Sequence, residues 1–564
     1  MPKIDVNEQL FFSTLGRRFA KDELEALLPV AKAELDDWPE GGGVLRIELN
    51  DTNRPDLWST LGLARQLAIY LTGKVPSYPF FSRAGAMKDA ADRKVVVDAG
   101  LKDIRPFIGS FVVEGRQVTD ALLREIIQSQ EKLCGNFGRK RKTVAMGVSR
   151  ADLISWPVHY GAADPDKTRF VPLDFPRPLS MRQILTEHPK GRDYGALVAG
   201  FPKFPLLTDG KGEVLTFPPV INSALIGGVK PGDSRLFIDL TGPDLEVILT
   251  ACAIAACDFA DMGFRVLPVA VEYPWDTPYG RRVVTPYYFQ KEVVLETAEA
   301  GRRLGEAFQP EEAAGFIRRM GNGVRVEGSR LHVAPPEYRN DFLHPVDAVE
   351  EIMISRGMAS FQPIMPRDFT VGRISAAEEF GRKVREIMVG LGYQEMIYNY
   401  LGSRADFVDR MGSDGADLVE IANPMTESAA VVRNSILPSL LGSEAASAHA
   451  VYPHRIFETG KTVVKDASQN TGSRTLNSLG LLWADREAGF NDVNAHVQAL
   501  FYYLALEPEL SALEDTRFIT GRCAELRVAG RRVGLMGEVH PAVLERWGIQ
   551  MPCAVAEFDL DAMR

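Results

Sequence analysis

Apolar and polar positions follow two periods along this chain, and each switch between them marks an element. Ile47-Glu48-Leu49 alternates as a short strand, then a polar turn leads to Leu57, Leu61, Ala64, Ala68 and Leu71 at helical spacing. Pro55 suits that helix's first turn, and Gly73 suits its stop. Lys21 to Leu35 also carries helical periodicity, with Asp22, Glu23 and Glu25 in its first turn. Ser77 to Phe81, with Pro76 and Pro79, reads as a linker. Val95-Val96-Val97 and Phe111-Val112-Val113 are strand-like, and Thr119 to Leu133 is amphipathic. Leu236-Phe237-Ile238-Asp239-Leu240 reads as a buried strand, and Asp244 to Ala260 as a long apolar helix. Gly321-Asn322-Gly323 reads as a hairpin turn. A long helix is expected from Ser375 to Gly390, followed by strands that include Glu395 to Tyr400, Leu479 to Trp483, Arg532 to Met536 and Cys553 to Phe558.

These elements predict an α+β multidomain chain in four parts. They are a mixed N-terminal domain over 1–85, an α+β domain over 88–270, a small acidic module over 275–358, and an antiparallel sheet flanked by helices over 366–564. The length of 564 residues supports such a division, since one core rarely grows past about 250–300 residues.

Composition narrows the class. With 45% hydrophobic and 25% charged residues, the chain is that of an ordinary folded protein. Five scattered cysteines without a Cys-x-x-Cys pair argue against a zinc ribbon or disulfide framework and fit a reducing cytoplasm. No secretory signal is evident, and the most apolar window, Val247 to Ala256, is too short to span a bilayer. The net charge of −10 opposes a surface given over wholly to nucleic acid. Basic runs nevertheless occur at Arg139-Lys140-Arg141-Lys142, Arg281-Arg282 and Arg318-Arg319; each fits either a solvated face or a phosphate contact.

The candidate chemistry begins at Tyr338-Arg339-Asn340-Asp341-Phe342-Leu343-His344-Pro345-Val346-Asp347-Ala348-Val349-Glu350-Glu351. Pro345 suits a helix start, after which Asp347, Glu350 and Glu351 share one face, with Asp341 just upstream. Four clustered acids repel unless something positive sits among them. Oxygen-only ligation suits Mg²⁺. Acids that merely complement a helix dipole remain the alternative.

That segment does not stand alone. Ile47 to Ala68, Ile421 to Ser428, Val432 to Leu441, Arg455-Ile456-Phe457-Glu458-Thr459-Gly460, and Gly537 to Leu544 with Phe558-Asp559-Leu560 occur with it in collinear order. Together they resemble the β subunits of phenylalanine–tRNA ligase in their shorter, archaeal/eukaryotic-type form. The chain stops soon after Leu560, without room for the extra modules of the longer bacterial type. The resemblance implies a class II synthetase-like core over 366–564 and a Mg²⁺ site at Asp341, Asp347, Glu350 and Glu351. It also implies an α subunit that carries the aminoacylation site, an (αβ)₂ heterotetramer, and the joining of L-phenylalanine to tRNA(Phe) with ATP.

A class II core holds ATP with two arginines. Arg455 to Glu458 echoes the first, but Gly534-Leu535-Met536-Gly537-Glu538-Val539-His540 has an acid where the second is needed. No aminoacylation site is therefore expected on this chain. Residues 88–270 resemble the family's editing domain, which hydrolyses mischarged Tyr-tRNA(Phe), through Ile104 to Phe107, Gln130 to Leu133, Arg139 to Arg141, Pro218 to Ser223 and Phe237 to Thr241. Asn222, Asp239 and Thr241 are the pocket candidates; a turn Asn, a strand-end Asp and a helix-capping Thr are their ordinary alternatives. Related chains carry a His-Asp pair where this one has Ser149-Arg150, which weakens the editing expectation. The rival reading is a freestanding tRNA-binding or editing protein without a ligase partner.

Overall fold

The computed structural model describes residues 2–81, 90, 92–367, 370–447 and 449–564. They fall into two compact units, Met1–Ile364 and Met365–Arg564.

The first unit opens with three antiparallel strands in the order Lys3–Asn7, Val44–Leu49, Ala33–Asp37. The helix expected through Leu35 ends early, at Leu27, and a 3₁₀ turn Leu28–Ala31 leads into the strand Ala33–Asp37. Pro29 supplies no N–H to continue the ladder, and Lys32 at φ 51° turns the chain. The helix Thr60–Thr72 starts where Ser59 accepts a hydrogen bond from the Gly62 amide and stops at Gly73, φ +68°.

A ten-stranded sheet of the described residues follows. At one end Arg265–Glu272, Phe107–Glu114, Leu236–Gly242 and Ala145–Arg150 lie side by side. Alternation along Leu236–Gly242 divides its work between two faces. Leu236, Ile238 and Leu240 join Ile248, Ala251 and Cys252 of the helix Leu245–Asp261 in one buried cluster. Phe237 joins Val95, Val158 and Leu207 in another. Each fully buried side chain of this size contributes about 1.5–3 kcal/mol. Ser77 to Phe81 is anchored, not loose: Tyr78 is buried and its hydroxyl donates to Asp261 at 2.9 Å.

The small acidic module is a three-stranded sheet ordered Val293–Glu296, Arg330–Ala334, Gly323–Glu327, with the helices Pro310–Arg319 and Pro345–Arg356. Its hairpin turns at Gly328, φ +62°. Gly321-Asn322-Gly323 instead joins a helix to a strand, because Gly321, at φ +96°, reverses the chain immediately after Met320.

The second unit is built on seven strands: Gln394–Glu395, His454–Lys465, Ser473–Ala484, Cys553–Asp559, Arg531–Val539, Phe518–Val528 and Pro508–Ala512. All neighbours are antiparallel except the first pair. The strand expected over Glu395 to Tyr400 is confined to Gln394–Glu395. Val384 and Met388 of the helix Ala376–Gly390, with Val493, Val497 and Phe501 of Phe490–Tyr503, share a core with Phe457, Leu481 and Phe558. Among the described residues no helix is long and apolar enough to cross a membrane.

Candidate functional site

A cavity of about 350 Å³ opens beside the strand Leu236–Gly242, and Asp239 forms part of its wall. Asp239 lies mid-strand, opposite Ser110 on one side and Gly147 on the other. A Cβ at Gly147 would stand 2.5 Å from Asp239 Oδ1, so only glycine leaves room for the carboxyl group. That Oδ1 has no hydrogen-bond partner among the described residues. Burial accordingly pushes the carboxyl pKa up to about 7. The result is a carboxyl group that exchanges a proton near neutrality inside a cavity, a combination frequent at functional sites.

Asn222 is on the same wall, its Nδ2 donating to the Val148 carbonyl at 3.2 Å. Thr241 is not on it. Its hydroxyl accepts from Arg105 Nε at 2.9 Å and its carbonyl accepts from the same guanidinium, so it fixes the strand end. The following helix is capped by Asp244. Ser149 stands opposite Phe237, two positions beyond Gly147, and neither it nor Arg150 lines the cavity.

Further polar side chains on the wall include Gln130, Arg141, His188 and Lys190, together with the acids Glu131 and Asp174. Arg141 donates to the Pro219 and Val220 carbonyls at 3.0 and 2.9 Å and lies 4.1 Å over the Tyr194 ring. Gln130 and Arg141 fall in segments that carry the resemblance. His188 and Lys190 carried no signal beyond a His-Pro at a helix start.

The acidic constellation is arranged differently from the sequence expectation. Arg339, 2% exposed, supplies the missing positive charge. It donates to Glu351 at 2.7 and 2.9 Å and to Asp341 at 3.0 and 2.5 Å. Asn322 Nδ2 adds a bond to Glu351 at 2.8 Å. Burial alone would raise the Asp341 pKa, but the Arg339 and Arg54 guanidiniums reverse this and hold it well below the carboxylate range. Asp347 caps its helix, accepting from the Leu343 and His344 amides at 2.7 Å each. Glu350, half-exposed, pairs with Lys32 at 2.9 Å. No group of three or more His, Cys, Asp or Glu side chains among the described residues is arranged to hold a metal ion. The four acids therefore do not converge as one ligand set within this chain: two surround Arg339, one caps, one faces Lys32.

In the second unit, Glu458 is held by Arg433 in a bidentate pair at 2.7 and 3.0 Å, with Arg433 fully buried. Arg455 instead lies 4.4 Å over the Trp483 ring. Glu538 accepts from Arg522 at 2.6 Å and from the Phe490 amide at 2.7 Å. Glu538, at the position where a second arginine is expected, is thus tied up by protein groups.

The first unit thus carries a cavity with an unpaired acid on its wall, and the second an antiparallel sheet whose Glu458 and Glu538 are paired within the protein. Residues 362–560 match the family described as phenylalanyl tRNA synthetase beta chain CLM domain, and 293–358 match the tRNA synthetase B5 domain. The chain is 44% identical over its full length to a phenylalanine–tRNA ligase beta subunit of Borrelia garinii, covering 99% of it. It is also 44% identical to the one from Treponema pallidum, with all of both chains covered. A solved N-terminal fragment of the phenylalanyl-tRNA synthetase beta subunit from Pyrococcus horikoshii is 34% identical, with a TM-score of 0.58, over 63% of this chain and 99% of that one. The chain belongs to the phenylalanyl-tRNA synthetase beta-subunit family.

Proposed function

We propose that this chain works as the β subunit of a phenylalanine–tRNA ligase, which with an α subunit joins L-phenylalanine to tRNA(Phe) using ATP. Full-length similarity to chains of that name carries this reading. The (αβ)₂ assembly, a cytoplasmic location and the four-part division at 85–88, 270–275 and 358–366 belong to the same proposal. So does the shorter, archaeal/eukaryotic-type plan. Its one point in favour is that the chain covers 99% of the Pyrococcus horikoshii fragment at 34% identity; the similar named relatives are bacterial and do not support it. An obligate subunit co-purifies with an α chain in equal amount, and alone it supports no phenylalanine-dependent ATP–pyrophosphate exchange. Exchange by the isolated chain would overturn the assignment.

The Asp239 cavity is read as the place where mischarged Tyr-tRNA(Phe) is hydrolysed. The unpaired carboxyl group, near neutrality, is suited to accept a hydrogen bond from the tyrosyl phenol or to hold the attacking water. Asn222 and Gln130 offer polar contacts, and Thr241 acts through Arg105. Asp239→Asn and Asn222→Ala should slow deacylation of tyrosyl-tRNA(Phe) while phenylalanine charging is kept. A wild-type assembly without such deacylation would end this reading.

For Mg²⁺, Asp347 and Glu350 are the acids not tied to Arg339. The ion usually keeps several waters and takes one or two carboxylates. These two fit that demand as partial ligands, with the shell completed by water or by the α subunit, while Asp341 and Glu351 hold Arg339. Glu350→Gln with Asp347→Asn should then weaken Mg²⁺-dependent αβ association, and an unchanged Mg²⁺ titration would remove the site.

A further inference from the structure

Of the three basic runs, two are accounted for by protein contacts. Arg281 pairs with Asp276 at 2.8 Å, Arg318 with Glu311 at 3.0 Å, and Arg319 donates to the Tyr70 carbonyl at 3.1 Å while lying over its ring. Arg139-Lys140-Arg141-Lys142 differs. Among the described residues, the side chains of Arg139, Lys140 and Lys142 meet no ion-pair or hydrogen-bond partner, and neither does that of nearby Lys132. Arg139, Lys140 and Arg141 stand in succession at φ 48°, 54° and 66°, a left-handed run that L residues rarely sustain. It is held by the Lys140 amide on the Gly135 carbonyl and the Arg141 amide on Cys134, both at 2.8 Å. The run sends Arg141 to the Asp239 cavity and Arg139 to a second one.

That second cavity, of about 960 Å³, is lined by Lys132, Asn136 and Arg139 on one side and by Thr52 and Trp58 on the other. Lys3 also lines it, but its ammonium is engaged by Asp36 at 2.7 Å. The acid on its wall, Asp244, has an oxygen committed to the Val247 amide. Trp58 is 3% exposed, and its buried Nε1–H finds no protein acceptor among the described residues. Buried donors of this kind are nearly always satisfied. On a chain of net charge −10, a groove with two unpaired cations, an amide and an unmatched indole N–H is complementary to a polyanion rich in oxygen acceptors.

We propose that this groove binds the sugar–phosphate backbone of RNA, with Lys132 and Arg139 on phosphates and Trp58 in its wall. The left-handed run forms part of both walls, so a strand lying in the groove is led toward Asp239. This path rests on the reading of the Asp239 cavity as a site for an RNA-borne substrate; the groove itself does not.

The test uses the full chain in the assembly with which it purifies, and tRNA(Phe) as the probe. Lys132→Gln with Arg139→Gln changes half-buried and exposed positions and leaves the core untouched. Affinity should fall about tenfold, and the slope of log affinity against log salt should shrink by about 1.5, as expected for two lost phosphate contacts. In deacylation of tyrosyl-tRNA(Phe), KM should rise with kcat unchanged, whereas Asp239→Asn should lower kcat and leave tRNA affinity intact. Unaltered affinity and salt slope would overturn the proposal. Equal losses for a DNA of the same sequence would also overturn it, showing a general anion surface. Should wild type deacylate nothing, the Asp239 reading fails while the binding measurement still decides the groove.

Discussion

Asp239 and Asp341 are both buried carboxyl groups in the first unit, yet their surroundings are opposite. Asp341 sits against Arg339 and Arg54 and remains ionised well below the usual range. Asp239 has an oxygen without a partner, faces a cavity, and is pushed up toward neutrality. The contrast separates two uses of a buried acid. Saturated by guanidiniums, it stitches elements together; left unmatched beside a cavity, it is available to a ligand. Burial without pairing is therefore the better guide to chemistry than acid count.

The largest expected effect comes from breaking the saturated case. Arg339→Met leaves Glu351 without a cation and Asp341 with Arg54 alone, and should cost about 3–5 kcal/mol, read by denaturant unfolding. A cost under about 1 kcal/mol would mean that these acids reach solvent or another cation.

Smaller, and opposite in sign, is the effect of Asp239→Asn. The folded pKa of about 7 lies above the unfolded value of about 3.9, so the native state keeps a proton that the unfolded state loses. Stability from this group falls as pH rises from about 4 to about 7. The variant should gain about 1–3 kcal/mol at pH 8 and nothing at pH 4. Asp341 runs the other way: its contribution is present above about pH 4 and is lost on further acidification. A pH-independent Asp239→Asn difference would contradict the unpaired carboxyl.

Thr241→Val should cost about 1–2 kcal/mol, since it removes a buried acceptor of Arg105, and melting temperature reads it. Glu350→Gln should change stability by at most about 1 kcal/mol, because the half-exposed pair with Lys32 is screened by solvent.

Much of the fold was legible where one period dominates. The strand at Leu236 to Leu240, the helix behind it and the stop at Gly73 all follow from local pattern. The Lys21 to Leu35 helix forms only as far as Leu27 because a single proline outweighs an otherwise good period. Gly321-Asn322-Gly323 was misplaced because a glycine pair marks a reversal without saying which elements it joins. In the acidic segment, the quoted stretch already contained Arg339 two residues before Asp341. Its burial, and the distant Arg54, Lys32 and Asn322, could not be read from spacing. Asp239 and Asn222 were visible through resemblance, and the geometry brings them to one wall. Thr241 shares the strand face but was claimed by Arg105. His188 and Lys190 come from a segment with no periodic or family signal.

The register of Leu236–Gly242 ties this chain's chemistry to its own folding. Alternate residues of one strand serve the apolar cluster under the helix Leu245–Asp261 and the cavity walled by Asp239 opposite. A slip of one residue would exchange these faces, thrusting Asp239 among aliphatic side chains and presenting Ile238 to the cavity. Such a chain would fail to fold long before it could offer a faulty pocket. Correct assembly of the core and placement of Asp239 at the cavity are thus one event: a molecule that has folded at all has already aligned its carboxyl group.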